Sequence, residues 1–402
     1  MLDRQKVILA LQDKRTQFLD YTADQRRQHE LIRKLLAEFT QADCQAILAR
    51  IEQSGIEWPG ALPTVELDQA RDLRLPFGRG WRNHQDARAW ALETLAEQPV
   101  IAVDGSQVTP TKDFSVPVGA VQVGWYVNYH TPGGRYIKDV EFEVLGPDEL
   151  AATEDDLELS GDGFPNWRVN QVRFVRECQR LCRLMEEHAH LPEERRPLCF
   201  FDGSFVISFA GQMRPQRARP YLEAVAELLD CSQRFRIPLA GFVDSSYSRD
   251  LVTLIELLAH TPNALTLGDA ALLAPRLPEW GDRSPFFICA RDDSLSSEGR
   301  AAFYRDVVFT YVRLTQDRSP ARVELPRWLL ESGLAETVMD VVRAECVVGT
   351  GYPYAVETAD AAAVITQQDR QRFYALFQQF VQGQGIPLTL ARKAASKQGR
   401  RA

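Results

Sequence analysis

The sequence contains no long hydrophobic run. None of its segments has 18 consecutive apolar residues, which is about the minimum length of a membrane-spanning helix. The first 20 residues, MLDRQKVILALQDKRTQFLD, mix charged and apolar side chains, so they lack the uninterrupted apolar core of a secretory signal peptide. We therefore expect a chain that has no membrane span and acts in the cytoplasm.

Cysteine is sparse, and its spacing is irregular. Seven Cys are scattered along 402 residues, and only Cys178 and Cys182 lie close together. No Cys-x-x-Cys pair is present, which argues against a zinc ribbon. An odd number of scattered cysteines is typical of buried thiols in a reducing compartment.

Several catalytic signatures are missing as well. The chain has no Gly-x-x-x-x-Gly-Lys-[Ser/Thr] motif, no Gly-x-Gly-x-x-Gly after a strand and no Gly-x-Ser-x-Gly. These absences argue against a P-loop motor, a dinucleotide-binding fold and a hydrolase with a nucleophile elbow.

Length and charge limit the class of protein, its number of domains and its possible partners. With 45% hydrophobic and 25% charged residues, the composition is that of a globular protein, and the length allows about two or three domains. The net charge of −8 disfavours a general nucleic-acid binder, but ten acids fall within residues 139–162 alone. The whole-chain charge is therefore a poor guide to partners. It fits a chain that binds DNA weakly by itself and receives it from a partner.

Hydropathy patterning predicts three regions. Residues 1–95 form a helical arm and connector, residues 96–384 an α/β domain, and residues 385–402 a basic flexible tail. In the arm, apolar side chains recur at three- and four-residue steps up to residue 52, and residues 53–85 read as irregular. From residue 98 the order is three strands followed by alternating helices and strands, which predicts a mixed sheet flanked by helices.

Two segments of the α/β region share one pattern. IAVDGSQ (101–107) and CFFDGSF (199–205) each carry an apolar strand into Asp-Gly-Ser. A single copy is typical of a turn. Two copies place Asp104 and Asp202 at the ends of buried strands, where carboxylates are costly unless they are paired or bind a cation.

A third acid belongs to the helix between these strands. Glu177 lies in the apolar stripe of Phe174, Leu181 and Leu184, so it faces the sheet. An ion pair with Arg173 or Arg176 is the alternative interpretation.

Two acids on the third strand compete with Glu177. Glu141 and Glu143 alternate with apolar residues and therefore share one face of the strand. Exposure on the solvent face is the simpler interpretation for both. Three hard oxygen ligands from Asp104, Glu177 and Asp202 would suit Mg²⁺ or Mn²⁺.

The order strand–strand–strand–helix–strand, with acids at these places, is the ribonuclease H-like arrangement. Together with GFVDSSYSRDL (241–251) and GYPYAVETADAAAVI (351–365), these motifs make residues 98–382 resemble the NurA-type nucleases. The resemblance implies Mn²⁺- or Mg²⁺-dependent DNA hydrolysis with 5′-to-3′ end processing in double-strand break repair. It also implies a homodimer that docks on a hexameric HerA-type translocase, and it makes Asp104, Glu177 and Asp202 the metal-binding acids.

The chain departs from the family pattern in two places. Asp360 stands where many members carry a His, and it is either a fourth metal ligand or a helix-surface acid. Asp244 and Ser245 stand where a Lys is common, which removes a cation that would hold phosphate. Tyr352 and Tyr354 are candidates for DNA stacking, although aromatic packing is the simpler interpretation.

One basic cluster follows the second Asp-Gly-Ser. Its members are Arg214, Arg217 and Arg219, which are close enough in sequence to hold phosphates near the acids, unless they belong to an exposed loop. A non-catalytic scaffold with a nuclease fold, and another ribonuclease H-like nuclease or resolvase, remain alternative functions.

Overall fold

The computed structural model describes residues 2–111, 113–150, 166–207, 209, 211, 213–292 and 303–389. In these residues every cysteine is a free thiol, and all but Cys182 are buried, as the cysteine pattern predicts. No described helix is long and apolar enough to cross a membrane. Half of the acidic stretch 139–162 and most of the basic tail lie outside the described residues.

The described residues form nine strands and the helices that precede, separate and follow them. The strands are β1 (Gly60–Pro63), β2 (Val100–Val108), β3 (Gly119–Asn128), β4 (Tyr136–Leu145), β5 (Leu198–Asp202), β6 (Leu239–Val243), β7 (Phe287–Ala290), β8 (Val307–Val312) and β9 (Ala321–Pro326). The first helices are α1 (Arg4–Asp13), α2 (Arg15–Phe39), α3 (Cys44–Ser54), α4 (His84–Leu95), α5 (Pro147–Leu150) and α6 (Asn166–His188). They are followed by α7 (Pro215–Phe235), α8 (Asp250–Leu258), α9 (Asp269–Leu273), α10 (Arg327–Glu331), α11 (Ala335–Val348), α12 (Tyr354–Ala363) and α13 (Gln367–Gly383).

The chain packs as two units that do not follow the order of the sequence. The first unit comprises Met1–Arg79, Asp244–Asp292 and Tyr304–Val323; the second comprises Gly80–Val243, Asp293–Phe303 and Glu324–Ala402. Strand β9 contributes its first three residues to one unit and its last three to the other. The functional boundaries at residues 95 and 384 stay predictions.

The first unit contains the N-terminal helices and the strand order β1-β7-β8-β9. Its interior holds a buried ionic cluster, in which the Asp250 carboxylate accepts hydrogen bonds from Arg291 and Arg322. The prediction that residues 53–85 are irregular throughout is wrong at β1, which pairs antiparallel with β7. Strand β1 ends the order, where a proline such as Pro63 is tolerated.

The second unit contains the strand order β9-β6-β5-β2-β3-β4. Strand β3 is antiparallel to both β2 and β4, whereas β5 is parallel to β2 and β6 is parallel to β5. The first four residues of each of the strands β2, β5 and β6 are apolar and buried. The predicted fold class, a ribonuclease H-like mixed sheet flanked by helices with helices ahead of it, is confirmed.

Candidate active site

Asp104 and Asp202 lie at the same level on neighbouring parallel strands. Val100–Val103 of β2 pair in register with Leu198–Phe201 of β5, and each Asp follows the last paired residue. Equivalent positions on adjacent parallel strands point to the same side of the sheet. The two carboxylates therefore emerge side by side, as the repeated Asp-Gly-Ser pattern predicts.

The prediction that both acids end their strands is wrong for Asp104. Strand β2 continues to Val108, because its pairing with β3 extends beyond the point where its pairing with β5 stops. Asp104 lies in the middle of β2, whereas Asp202 is the last residue of β5. Asp202 is exposed, and Asp104 is only partly buried.

Glu177 approaches the cluster from helix α6. Its side chain is buried, and its Oε1 atom accepts a hydrogen bond of 2.6 Å from Arg173 Nη1. A Cβ atom on Gly105 would come within 2.3 Å of the same Oε1. The glycine after Asp104 is therefore needed for close approach of α6, rather than for a turn.

Asp360 approaches from helix α12, on the other face of the sheet. Gly124 of β3 pairs directly with Asp104, so the two positions share one face. A Cβ on Gly124 would lie 2.7 Å from the backbone nitrogen of Ala363, which places α12 against that face. Asp360 is exposed, and its carboxyl group lies near enough to that of Asp104 to raise the pKa of Asp104.

The four acids interact electrostatically. Burial raises the pKa of Glu177 to about 8; Arg173 opposes this shift, while Asp104 and Asp202 add to it. Burial also raises the pKa of Asp104 to about 6, and Asp360 and Asp202 add to that shift. Partial desolvation of the carboxyl group raises the pKa of Asp202 as well, although the residue as a whole is exposed, and Asp360 adds to that shift. Acids whose pKa values are raised by burial and by one another attract protons or a cation.

Tyr352 adds a hydroxyl group to the cluster. Its Oη donates a hydrogen bond of 2.6 Å to Asp202 Oδ1, which lowers the pKa of Asp202 against the effect of burial. The ring packs edge-to-face on Phe242, with the centroids 5.1 Å apart. Tyr354 instead packs edge-to-face against Tyr126, in keeping with the packing interpretation.

Two buried glutamates that sequence reasoning missed support the site. Glu324 of β9 accepts hydrogen bonds from Ser204 Oγ (2.8 Å) and the Phe205 backbone (2.6 Å), and so holds the loop that follows Asp202. Glu345 of α11 accepts a hydrogen bond from the Ala355 backbone (2.8 Å) in the first turn of α12. The available signal for Glu324 was an acid flanked by the apolar residues Val323 and Leu325 in ARVELP.

Glu141 and Glu143 are placed away from the cluster. Glu143 forms a bidentate ion pair with Arg176 (2.7 and 2.8 Å), which lowers its pKa, and the exposed Glu141 lies 3.4 Å from Arg183. Glu177 is therefore the acid that the structure brings to Asp104 and Asp202.

The basic cluster divides in the structure. Arg219 pairs with Glu223 on the surface of α7, at 2.7 Å. The guanidinium of Arg217 instead lies 4.5 Å from the ring centroid of Trp167, at the start of α6. Asp244, one of the residues in place of the family lysine, lies 3.7 Å from Arg318.

The donor set fits a hard divalent cation. Four carboxylates and a tyrosine hydroxyl supply only oxygen, the ligand type that Mg²⁺ and Mn²⁺ prefer. In the described part of the chain, no group of three or more His, Cys, Asp or Glu side chains is arranged so that it could hold a metal ion. The reason is geometric, because Glu177 is held by Arg173 on the α6 side of Gly105 while Asp104 and Asp360 meet on the α12 side.

Comparison with solved structures finds distant similarities. A crystal structure of NurA with manganese aligns with a TM-score of 0.42 and 11% identity, covering 70% of this chain and 89% of the other. The catalytic domain of human endonuclease V aligns with a TM-score of 0.33 and 15% identity, covering 74% of this chain and 89% of the other. Endonuclease V of Ciona intestinalis was solved in complex with DNA containing an inosine followed by a ribo-adenosine. It aligns with a TM-score of 0.31 and 12% identity, covering 72% of this chain and 97% of the other.

No curated protein matches the chain. The family comparison is more specific, because the model of the NurA domain matches residues 98–365. The matched segment begins just before β2 and ends just after α12, so it contains all four acids of the cluster. It also covers well over half of the 402 residues, and the chain therefore belongs to the NurA domain family.

Proposed function

We propose that this protein is a metal-dependent nuclease that hydrolyses phosphodiester bonds of DNA at the Asp104–Glu177–Asp202–Asp360 cluster. The observation that carries the proposal is the electrostatic interaction of carboxylates from β2, α6, β5 and α12, which together with burial raises the pKa of Asp104 to about 6 and that of Glu177 to about 8. Such a cluster destabilises the folded protein unless a bound cation offsets its charge, so it is typical of functional sites. Membership of the NurA domain family favours nuclease activity as the function of this cluster.

The acids would divide the binding of Mn²⁺ or Mg²⁺ among themselves. Asp104 and Asp202 would form the centre of the site, Asp360 would replace the family histidine, and Glu177 would complete the set from the buried side. Bound divalent ions activate the attacking water and stabilise the leaving oxygen of a phosphodiester. Tyr352 would fix the orientation of Asp202 through their hydrogen bond.

A surface beside the acids would guide the DNA strand. Trp167 and Glu177 lie on the same helix, ten residues apart, or about 15 Å along its axis. Arg168 and Arg217 both lie over the Trp167 ring, at 5.3 and 4.5 Å from its centroid. Guanidinium groups beside an aromatic ring are suited to hold phosphates and a stacked base of a single strand.

The finer features of the activity rest on the resemblance to the family. We propose 5′-to-3′ exonuclease and single-strand endonuclease activity in DNA end processing, a homodimer, a HerA-type hexameric translocase as partner, and a cytoplasmic location. The net charge of −8 is consistent with a chain that needs a partner to deliver DNA. Light scattering of the purified chain, and co-purification with a translocase of this type, test these features separately.

Cleavage of linear DNA tests the activity itself. Single- and double-stranded substrates are incubated with Mn²⁺ and the wild type, Asp104→Asn, Asp202→Asn or Glu141→Gln. Glu141→Gln is the matched control, because Glu141 lies outside the cluster. We expect the two Asn variants to lose about 10³-fold or more of the wild-type rate and the control to keep it.

Two outcomes would change the assignment. Absence of wild-type cleavage with Mn²⁺, both alone and with the translocase, would contradict the proposal and favour a scaffold. Preference for branched DNA or for an RNA–DNA hybrid in a substrate panel would favour another ribonuclease H-like activity.

A further inference from the structure

Arg173 connects two parts of the candidate site. Its Nη1 atom donates to Glu177 Oε1 at 2.6 Å and to the Gly105 carbonyl oxygen at 3.2 Å. The side chain is 29% exposed, compared with 11% for Glu177. The arginine therefore holds Glu177 against the backbone of β2 directly after Asp104.

This contact depends on the glycine at position 105. A Cβ there would lie 2.3 Å from Glu177 Oε1 and 2.8 Å from Arg173 Cγ. Both members of the ion pair thus occupy the space that a side chain on β2 would fill. The glycine brings a cation, as well as an acid, close to Asp104.

The guanidinium is held only in part. Arg173 Nε is buried and has no hydrogen-bond partner among the described residues. A fully bonded guanidinium fork fixes its partner in a planar geometry, whereas here a single terminal nitrogen serves both contacts. Breaking the contact with Glu177 therefore frees the carboxylate without dismantling a larger network.

Arg176, three residues further along α6, provides a comparison. Its guanidinium pairs with Glu143 of β4 through two hydrogen bonds, at 2.7 and 2.8 Å. Arg176 thus belongs to a surface ion pair between a helix and a strand. Arg173 is the one of these two arginines that contacts an acid of the cluster.

We propose that Arg173 is an exchangeable counter-ion of Glu177, which a divalent cation must displace before Glu177 joins Asp104 and Asp202 as a ligand. The inference rests on the proposed function and adds a positioning residue to it. Two cations cannot share the same carboxylate oxygen without repulsion, so Arg173 and the metal compete for Glu177. The arginine then sets the metal concentration at which the site becomes complete.

Metal binding without DNA tests the competition. The free Mn²⁺ signal in electron paramagnetic resonance is titrated against the full chain at pH 8, using the wild type, Arg173→Gln and Arg176→Gln. Removing one unit charge near the site is worth roughly a threefold change in affinity even at high dielectric constant. We expect Arg173→Gln to bind Mn²⁺ at least about threefold more tightly than the wild type, and Arg176→Gln to match the wild type.

A second background separates direct competition from the loss of a nearby charge. In Glu177→Gln, Arg173 has no carboxylate to hold, so adding Arg173→Gln should change Mn²⁺ affinity much less than it does in the wild type. If Arg173→Gln does not fold, Arg173→Lys carries the same test. Its single amine replaces the guanidinium fork, and tighter binding by a smaller factor is expected.

The outcomes are distinct. Unchanged or weaker Mn²⁺ binding by Arg173→Gln overturns the inference, and so does an equal gain in both backgrounds. A wild type that binds no Mn²⁺ overturns the proposed function as well, which distinguishes failure of the whole site from failure of this step.

Discussion

At the scale of single residues, the acids of the cluster oppose the stability of the fold. Asp104 has its pKa raised from 3.8 to about 6, and Glu177 from 4.5 to about 8. Their protonated forms are favoured by folding, so both groups stabilise the protein below about pH 4. That stability is lost as the pH rises through their folded pKa values. A binding site for a cation accounts for a cluster that weakens the protein at neutral pH.

Replacing Asp104 should therefore make the protein more stable at high pH. Asp104→Asn removes a charge whose folded pKa is raised, so without added metal its unfolding free energy at pH 8 should exceed that of the wild type. We expect a gain of about 1–2 kcal/mol after allowance for partial solvent exposure. Urea unfolding from pH 4 to pH 8 measures the difference, which should shrink as the pH falls. A less stable Asp104→Asn at pH 8 would contradict this account.

Tyr352 should act through Asp202 rather than on the DNA directly. Tyr352→Phe keeps the ring on Phe242 and removes the hydroxyl that lowers the pKa of Asp202. The pKa of Asp202 should rise, so the acidic limb of the pH profile should move to higher pH, and cleavage at pH 7 should fall by about tenfold. An unchanged pH profile would show that the hydrogen bond is not used.

Local sequence patterns predicted most acids of this cluster, but not the contacts that other residues make with them. Asp104 and Asp202 follow apolar runs and Glu177 lies in an apolar helix stripe, so local patterns marked all three. Asp360 was named only because it replaces a family residue. The bond from Tyr352 to Asp202 joins residues 150 positions apart, and no local period encodes such a contact.

At the scale of secondary-structure elements, small residues bring the helices to the sheet. Gly105 admits α6 and Gly124 admits α12, on opposite faces. The periodicity of the sequence predicted the strands β2 to β8 and the long helices that follow them. Strand β1 was missed because it has only four residues and contains a proline. Strand β9 was missed because it also ends in a proline and carries two charged residues, Arg322 and Glu324, which are nevertheless buried.

A methyl group at Gly124 should separate α12 from the sheet. In Gly124→Ala the new Cβ would meet backbone atoms of Ala362 and Ala363 at 3.0 and 2.7 Å, which cannot rotate away as a side chain would. We expect a loss of about 1–3 kcal/mol in unfolding free energy, with weaker Mn²⁺ binding because Asp360 moves with α12. Thermal unfolding and Mn²⁺ titration measure the two effects.

Gly133→Ala is the matched control for this substitution. Gly133 lies in the turn between β3 and β4, and a Cβ there meets nothing within 4 Å. Its stability and Mn²⁺ affinity should equal those of the wild type. A Gly124→Ala protein that behaves like this control would contradict the packing of α12 on β3.

At the scale of the whole molecule, the distribution of charge matters more than its sum. The overall charge is negative, but Arg168, Arg217 and Trp167 lie together near the start of α6, the helix that carries Glu177. Composition alone argued against a nucleic-acid partner. Composition could not show that Arg217 lies over Trp167 while Arg219 pairs with Glu223, because these contacts depend on how α7 packs against α6.

Two arginines of α7 should therefore differ in their effect on DNA binding. Arg217→Ala removes a guanidinium from the Trp167 ring and should weaken single-stranded DNA binding by about tenfold and reduce its salt dependence by about one phosphate contact. Arg219→Ala removes only a surface pair with Glu223 and should leave both unchanged. Fluorescence anisotropy at several salt concentrations compares them, and equal losses would contradict the assignment of the strand path to Trp167.

The most direct test of the central claim is the Mn²⁺-induced shift in thermal unfolding of four proteins: the wild type, Asp104→Asn, Asp202→Asn and Glu141→Gln. A cation that binds only the folded state raises the unfolding temperature. If Asp104 and Asp202 hold one metal site, the wild type and Glu141→Gln should be stabilised equally by Mn²⁺, and the two Asn variants should lose most of this shift. Equal stabilisation of all four proteins would contradict the account, because the cation would then bind outside the cluster.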